Sequence, residues 1–350
     1  MQKESGLKIG IVGIGTIADI HAQALQESEK LELYSVYSRS EKNARNLGDK
    51  NNVRWYTDWE GFISDPELDA VSVCTPSGNH LDYGELAARA GKHVIIEKPI
   101  EVTLDRAKRL IRVCEENSVA LAVIYQSRFV PEIQALKRNL DEQVIGKLFM
   151  GDARIKWFRG QDYYDSGAWR GTLALDGGGV LINQAIHTID LLQWFMGDVE
   201  SIYGKTSTLT HERLEGEDNA VALVKYKSGA IGVIVGSTSI QPAQPRRIEL
   251  HGKNGSIILD GDDVRMLNAE DDKVENQVKK NPASGASSPL AGFSIDPHRH
   301  QIEAIADAIS EGREPPVSGK ESLKSLAMVL AIYESSKTNT PIQMDDLLGD

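Results

Sequence analysis

The sequence predicts an α/β protein of two domains, an N-terminal doubly wound parallel sheet followed by a C-terminal α+β domain on a large, mostly antiparallel sheet. Three observations predict it: the rhythm of apolar runs before residue 124, the change of rhythm after Tyr125, and a length of 350 residues, which suits two cores better than one. From Lys8 to Val123 the runs KIGIV, LELYSVYS, AVSVC, HVIIE and ALAVI alternate with amphipathic segments of helical length, the βαβ rhythm of a parallel sheet. The runs are apolar nearly throughout, as strands covered by helices on both faces must be. Beyond Tyr125, residues 127–142 read as a helix, 148–158 as a strand, and 180–196 as a helix with Leu181, Ile182, Ile186, Ile189, Leu192 and Phe195 on its apolar period. Strands follow at 199–210, 219–227, 230–239, 246–251 and 256–259, joined by tight turns such as KSGA and KNGS. Residues 281–294, NPASGASSPLAGFS, read as a surface loop or as a flap near a site, and helices near 298–311 and 320–336 close the chain. The domains are placed at 1–124 and 125–350, with room for the last helices to pack back on the first.

Composition narrows the function classes. Apolar residues at 41% and charged residues at 26% are those of an ordinary globular chain. A net charge of −12 opposes any partner recognised through its phosphate backbone, so nucleic acid is not expected. Local basic groups can still hold an anionic small molecule. Cys74 and Cys114 are too few for a disulfide framework or a zinc cluster, and both read as buried thiols. The N-terminal stretch MQKESGLKIGIV lacks the apolar core and cleavage site of a leader, and no run approaches the roughly 18 apolar residues of a membrane span. A cytoplasmic location without a membrane partner is expected.

Directly after the first strand come Gly13, Ile14, Gly15, Thr16, Ile17 and Ala18, with a helical pattern starting at once. Gly13 permits a tight turn, Gly15 lets the backbone approach a pyrophosphate, and Ala18 keeps the helix close to the sheet, with the phosphates at the helix start by Thr16 and Ile17. This is the fingerprint of a Rossmann NAD(P) site. About 20 positions on, where an acidic residue would hold the adenosine ribose hydroxyls, stand Ser38 and Arg39. A small neutral residue followed by a guanidinium suits a ribose 2′-phosphate and favours NADP, while Glu41 within reach keeps NAD open.

Two more strand ends lie where a doubly wound sheet binds its ligand, at the carboxyl edge. One carries Thr75, Pro76, Asn79 and His80; the other carries Glu97, Lys98 and Pro99. In the second half, DGGGVLINQAIHTIDLLQWFMG at 176–197 places Asn183, His187 and Asp190 four and three residues apart, hence on one helical face. Glycines 177–179 let the chain come close to something at the helix start. Taken alone, Lys98 reads as an exposed lysine before a turn-forming proline and His187 as a hydrogen-bonded core histidine.

Taken together, these residues resemble the Gfo/Idh/MocA oxidoreductases, a family that includes glucose-fructose oxidoreductase and inositol dehydrogenase, and the resemblance runs nearly end to end. It implies that Lys98, whose bond to Pro99 is often cis in that family, stands beside the nicotinamide and the reacting carbon, and that His187 falls on the catalytic histidine. A lysine so placed stabilises the alkoxide that forms as hydride leaves. Thr75, Pro76, Asn79, His80, Glu97, Gln126 and Trp169 are assigned to the cofactor with the glycine turn. The sequence departs from the commonest family pattern at Asn183, where an aspartate usually stands four residues before the histidine. An amide orients an imidazole but does not stabilise imidazolium as a carboxylate does, which leaves open whether Lys98 or His187 takes the proton.

The Asn-Gln-x-x-His variant, with Tyr163, Tyr164, Asp165 and the Trp169-Arg170-Gly171 run, is similar to the subgroup containing UDP-N-acetylglucosaminuronate 3-dehydrogenases. That resemblance implies an NAD(P)-dependent oxidoreductase moving hydride between nicotinamide and a secondary alcohol of a sugar or nucleotide-sugar uronate. Arg128 and Arg170 would meet an anionic substrate, the two tyrosines would pack on its ring, and Asn183 and Asp190 would bind it. Arg154 and Lys156 alternate with Ile155 and Trp157 as sheet surface. The resemblance further implies an open-faced second sheet, a homodimer or homotetramer through that face, and no metal. Two other readings stay open: a dehydrogenase of free sugars, inositols or sugar phosphates, and a noncatalytic dinucleotide-binding regulator.

Overall fold

The computed structural model describes residues 6–268 and 294–349, so the loop or flap expected at 281–294 lies outside the described residues except for Ser294. The chain divides into two compact units, Met1–Phe129 with Ile295–Leu323 and Val130–Ser294 with Lys324–Asp350.

The first unit alternates strand and helix: β1 (Leu7–Val12), α1 (Thr16–Gln26), β2 (Leu31–Tyr37), α2 (Glu41–Asn51), β3 (Arg54–Tyr56), α3 (Trp59–Ile63), β4 (Ala70–Val73), α4 (His80–Arg89), β5 (His93–Ile96), α5 (Leu104–Glu116) and β6 (Leu121–Val123). Its sheet is wholly parallel in the order β3-β2-β1-β4-β5-β6. The order reverses between β1 and β4, which makes the crevice at their carboxyl ends the ligand position of such a sheet. Every residue of β4 and β6 is buried, as the continuous apolar runs require. Ala18, Ala22 and Leu25 put α1 on the sheet, and Thr103 caps α5 by accepting the Arg106 amide.

The second unit begins with α6 (Pro131–Asp141), β7 (Leu148–Lys156) and α7 (Gln161–Asp165). A π-helical stretch at Val180–Ala185 then leads into α8 (Ile186–Met196). There follow β8 (Val199–Ser207), β9 (Asn219–Tyr226), β10 (Ile231–Ser237), β11 (Arg247–Gly252), β12 (Gly255–Asp260) and β13 (Asp263–Asn268). The chain closes with α9 (Asp296–Ser310), α10 (Gly319–Thr338), β14 (Ile342–Gln343) and α11 (Met344–Leu348). The sheet order is β13-β12-β11-β7-β10-β9-β8-β14, antiparallel at every junction except β10 with β7. Its strands alternate: Ala220, Ala222, Val224 and Tyr226 of β9 are buried, whereas Val221 and Leu223 are more than half exposed, as are Phe149 and Ile231. On β7, Ile155 is buried and Arg154 faces outward to Asp152 and Glu249. Among the described residues no helix is long and apolar enough to cross a membrane.

α9 belongs to the first unit. Gln301 from α9 accepts the Tyr125 amide at 3.0 Å and donates to the Val123 carbonyl at 2.8 Å, extending the pairing beyond the end of β6. Two expectations need correcting. The helix expected at 127–142 is a 3-10 turn at Gln126–Phe129 followed by α6, because Pro131 restricts the residue before it. The helix expected over 180–196 opens with the wider π turns, for a reason that lies in the site.

Candidate active site

In the first unit the turn from β1 to α1 is built as the glycine pattern requires. Gly13 has φ +86, and a Cβ there would stand 2.7 Å from Thr75 Cγ2 and 2.9 Å from the Thr75 amide nitrogen, so only glycine lets β1 and β4 end this close. A Cβ on Gly15 would meet nothing within 4 Å. Gly15 also caps α1 without a side-chain hydrogen bond, so no capping side chain occupies the start of the helix. Thr75 Oγ1 and Gln126 Oε1 are buried polar atoms with no hydrogen-bond partner among the described residues. An open glycine cradle, a helix start without a capping side chain and the orphaned Thr75 oxygen at the switch point, with a second orphaned oxygen on Gln126 after β6, fit a bound dinucleotide. Ser38 is partly exposed and Arg39 exposed at the end of β2, and Ser38 Oγ accepts the Ser40 amide at 3.2 Å.

His80 straps two strand ends together: Nδ1 lies 2.8 Å from the Pro99 carbonyl and Nε2 3.0 Å from that of Thr75. Burial lowers its proton affinity, against two carbonyl acceptors and Glu101, which favour imidazolium. Pro76 and Asn79 are partly exposed, and Asn79 donates to Asp82. The Lys98–Pro99 bond is cis. Lys98 is partly exposed, and its amide donates to Glu97 Oε2 at 3.1 Å.

Glu97 anchors a buried cluster that sequence reading missed. His21 of α1 offers Nε2 to Glu97 Oε1 at 2.8 Å and Nδ1 to Ser72 Oγ at 2.8 Å, with the ring of His298 from α9 edge-on at 5.7 Å. Burial opposes a charged His21, but Cys74 and Glu97 outweigh it and raise it to about 10. Burial likewise opposes the Glu97 carboxylate, and the hydrogen bond from His21 brings it down to about 2. His298, pressed by burial and by the neighbouring His21 charge, is lowered to about 4. Ligand atoms of the three lie within 4.8 Å of one another, but a direct hydrogen bond joins His21 to Glu97, which makes them an ion pair with a third ring beside it. The available signal was His21's place on the sheet-facing stripe of α1, beside Ala18, Ala22 and Leu25. Arg128, expected at an anionic substrate, is buried and paired with Glu321 at 3.2 Å.

In the second unit the triple glycine leads into the π turns, and what it approaches is Glu217. The carboxylate takes the Gly179 amide at 3.0 Å, the Leu181 amide at 2.7 Å and the Tyr333 hydroxyl at 3.1 Å, while the Glu217 carbonyl takes the Val180 amide. A Cβ on Gly179 would stand 1.8 Å from that carbonyl oxygen. Helix-start amides drawn onto one acidic residue replace a regular first turn, which accounts for the wide opening. Burial pushes Glu217 up to about 7 against these hydrogen bonds.

From Val180 to Gln193 only Asn183 and His187 are not buried. An otherwise enclosed helix thus opens a polar window at two positions four apart. Asn183 Nδ2 donates to Asp176, and its Oδ1 lies 3.4 Å from the Tyr163 hydroxyl. Tyr163 accepts Arg170 Nη1 at 2.8 Å, and the Arg170 guanidinium lies over the rings of Tyr163 and Trp169 at 4.4 and 4.5 Å. The structure therefore brings Asn183, Tyr163, Arg170 and Trp169 into one group with Asp176. Asp190, three residues on from His187 in α8, is fully buried and accepts Ser325 Oγ from α10 at 2.6 Å. Tyr164 is buried too, its hydroxyl 3.0 Å from Thr238 Oγ1 and its ring edge-on to His211. Cys74 and Cys114 are buried free thiols, as expected.

Comparison with known proteins follows this division. Residues 7–125 match the model of an oxidoreductase family's NAD-binding Rossmann fold, and residues 137–344 match that family's C-terminal alpha/beta domain. Myo-inositol 2-dehydrogenase of Thermotoga maritima is 27% identical over 98% of this chain and 100% of its own length. D-apiose dehydrogenase of Paraburkholderia graminis is 28% identical over 97% of this chain and 90% of its own. The WlbA dehydrogenase of Bordetella pertussis, solved with NADH and UDP-GlcNAcA, is 29% identical over 97% of this chain and 99% of its own, with a TM-score of 0.84.

Proposed function

The chain belongs to the Gfo/Idh/MocA oxidoreductase family, and from that premise we propose that it oxidises a secondary hydroxyl of a carboxylated sugar, a nucleotide-sugar uronate, using NAD(P). The observation that carries this reading is the pair of unburied polar residues, Asn183 and His187, on a helix enclosed everywhere else between Val180 and Gln193. The glycine turn, the α1 amides, Thr75 and Gln126 would hold the dinucleotide. A nicotinamide held there would supply the hydride acceptor for the carbinol carbon.

The remaining work falls to the chain's own groups. The Lys98 ammonium donates to the substrate oxygen and holds the negative charge that develops there, and His187 takes the hydroxyl proton. Asn183 and Tyr163 hold the sugar by hydrogen bonds, and Trp169 borders the cofactor. Arg170 has no carboxylate partner among the described residues, so its guanidinium is the group to meet a uronate. Arg128 has its charge committed to Glu321 and contributes by holding the turn after β6. Arg39 beside Ser38 favours NADP over NAD. The exposed apolar residues Val221, Leu223 and Ile231 on the open sheet face support a homodimer or homotetramer.

Purified protein is offered UDP-sugar uronates, neutral polyols such as inositols, free sugars and sugar phosphates, each with NAD and NADP, while reduced-nicotinamide absorbance is followed. Turnover confined to uronates supports the reading. Turnover of neutral polyols alone removes the nucleotide-sugar substrate, and dinucleotide binding without any turnover leaves a regulator instead.

A further inference from the structure

A buried carboxylate stands one hydrogen bond behind Asn183. Asp176 is 1% exposed, and both its oxygens are engaged: Oδ2 accepts the Gly171 amide at 2.7 Å and Oδ1 accepts Asn183 Nδ2. On the far side of Asn183, the Tyr163 oxygen accepts Arg170 Nη1 at 2.8 Å and Gln184 Nε2 at 3.2 Å. A phenol has two acceptor sites and one hydrogen, so with both acceptor sites taken its hydrogen goes to Asn183 Oδ1. The amide is thereby oriented from both ends, nitrogen to Asp176 and oxygen to Tyr163.

We propose that Asp176 is a positioning residue for the reaction: it dictates which end of the Asn183 amide the site presents, and it keeps a formal negative charge one side chain behind the position that an amide occupies. The inference rests on the reading of Asn183 and His187 as the substrate-facing pair. Because the Tyr163 hydroxyl depends on that amide's orientation, and Arg170 binds the same hydroxyl, the carboxylate also sets the groups that read the substrate. The carboxylate itself stays hidden and touches no substrate.

The chemistry of exchange makes the proposal testable. In Asp176→Asn the new amide keeps an oxygen for Gly171 but turns its NH2 against that of Asn183. Asn183 must then turn over, and its NH2 meets a Tyr163 oxygen whose acceptor sites are already filled. In Asn183→Asp two carboxylates meet back to back. In the double exchange, D176N/N183D, the new amide accepts Gly171 and donates to the new carboxylate, whose second oxygen takes the Tyr163 hydroxyl. Every bond is restored with the charge moved by one side chain.

Kinetics on the substrate found in the panel, and melting temperature without substrate, are measured for the four proteins. Each single substitution is expected to lower kcat about tenfold or more with a smaller change in KM, and the double exchange to recover most of it, because the loss comes from mispaired donors and not from missing bulk. Asp176→Asn with kcat within about twofold of wild type overturns the proposal even if its melting temperature falls, since the residue is then only structural. A double exchange no better than the worse single variant also overturns it. If wild type turns over nothing, the functional reading has failed separately, and the pairing is judged on melting temperature alone, where no recovery in the double exchange sinks it.

Discussion

Replacing His21 with alanine should cost stability in a way that depends on pH from both sides. The side chain removed is fully buried and holds Glu97 at 2.8 Å, with Glu97 in turn holding the Lys98 amide. Glu97 stands near 2 in the fold against an ordinary 4.5, which corresponds to about 3 kcal/mol. That agrees with the about 3–5 kcal/mol that breaking a buried ion pair costs. A lowered carboxyl gives stability that is present above pH 4.5 and lost as pH falls toward 2. A raised histidine gives stability that is present below pH 6.5 and lost as pH rises toward 10. The two describe one shared interaction, so the difference between wild type and His21→Ala should peak between pH 4.5 and 6.5 and shrink on either side. His298 Nε2 is 4.0 Å from the same carboxylate. Once the His21 charge is gone its proton affinity rises, so it takes over part of the role and His21→Ala/His298→Ala loses more than the single variant. Urea unfolding from pH 3 to 10 reads the effect. A variant as stable as wild type, or a deficit that ignores pH, would refute the reasoning.

Gly15→Val should leave stability within about 0.5 kcal/mol, since its Cβ meets nothing, while dinucleotide affinity falls about tenfold or more by calorimetric titration. Gly13→Ala should do the reverse in the fold, destabilising it by about 1–3 kcal/mol through the positive φ and the approach to Thr75, read by thermal unfolding. Arg39→Ala should weaken NADP about tenfold and leave NAD unchanged in the same titration, and equal losses for both would return Arg39 to a solvated surface charge. Glu217, raised to about 7, gives stability that is present below pH 4.5 and lost as pH rises through 7. Measured against Glu217→Gln, wild-type stability should therefore fall by about 3 kcal/mol across that range, and a flat difference would show that the three hydrogen bonds, not burial, govern the group.

The first unit was legible because its strands are continuous apolar runs and its ligand turn needs glycine where only glycine fits. β3 escaped because it has three residues, none of them buried, and gains its place from β2 rather than from its own pattern. β13 and β14 escaped in the same way, one following β12 after a two-residue turn and the other two residues long. Lys98, Asn183 and His187 were legible as residue types at strand and helix positions. Their supports were not, because Glu97 finds His21 and His298 across the fold, and the π turns at Val180–Ala185 are drawn open by Glu217, far along the chain. Asp190 shows that spacing gives a face and not a depth: it stands three residues on from His187 in α8, yet it is fully buried and accepts Ser325 Oγ.

Turnover of Lys98→Ala on the wild-type substrate tests the central chemistry most directly. An intact dinucleotide affinity with a rate lowered about 10²- to 10⁴-fold is the expected outcome for a group that stabilises developing charge on the reacting oxygen. A variant that turns over as fast as wild type would contradict it.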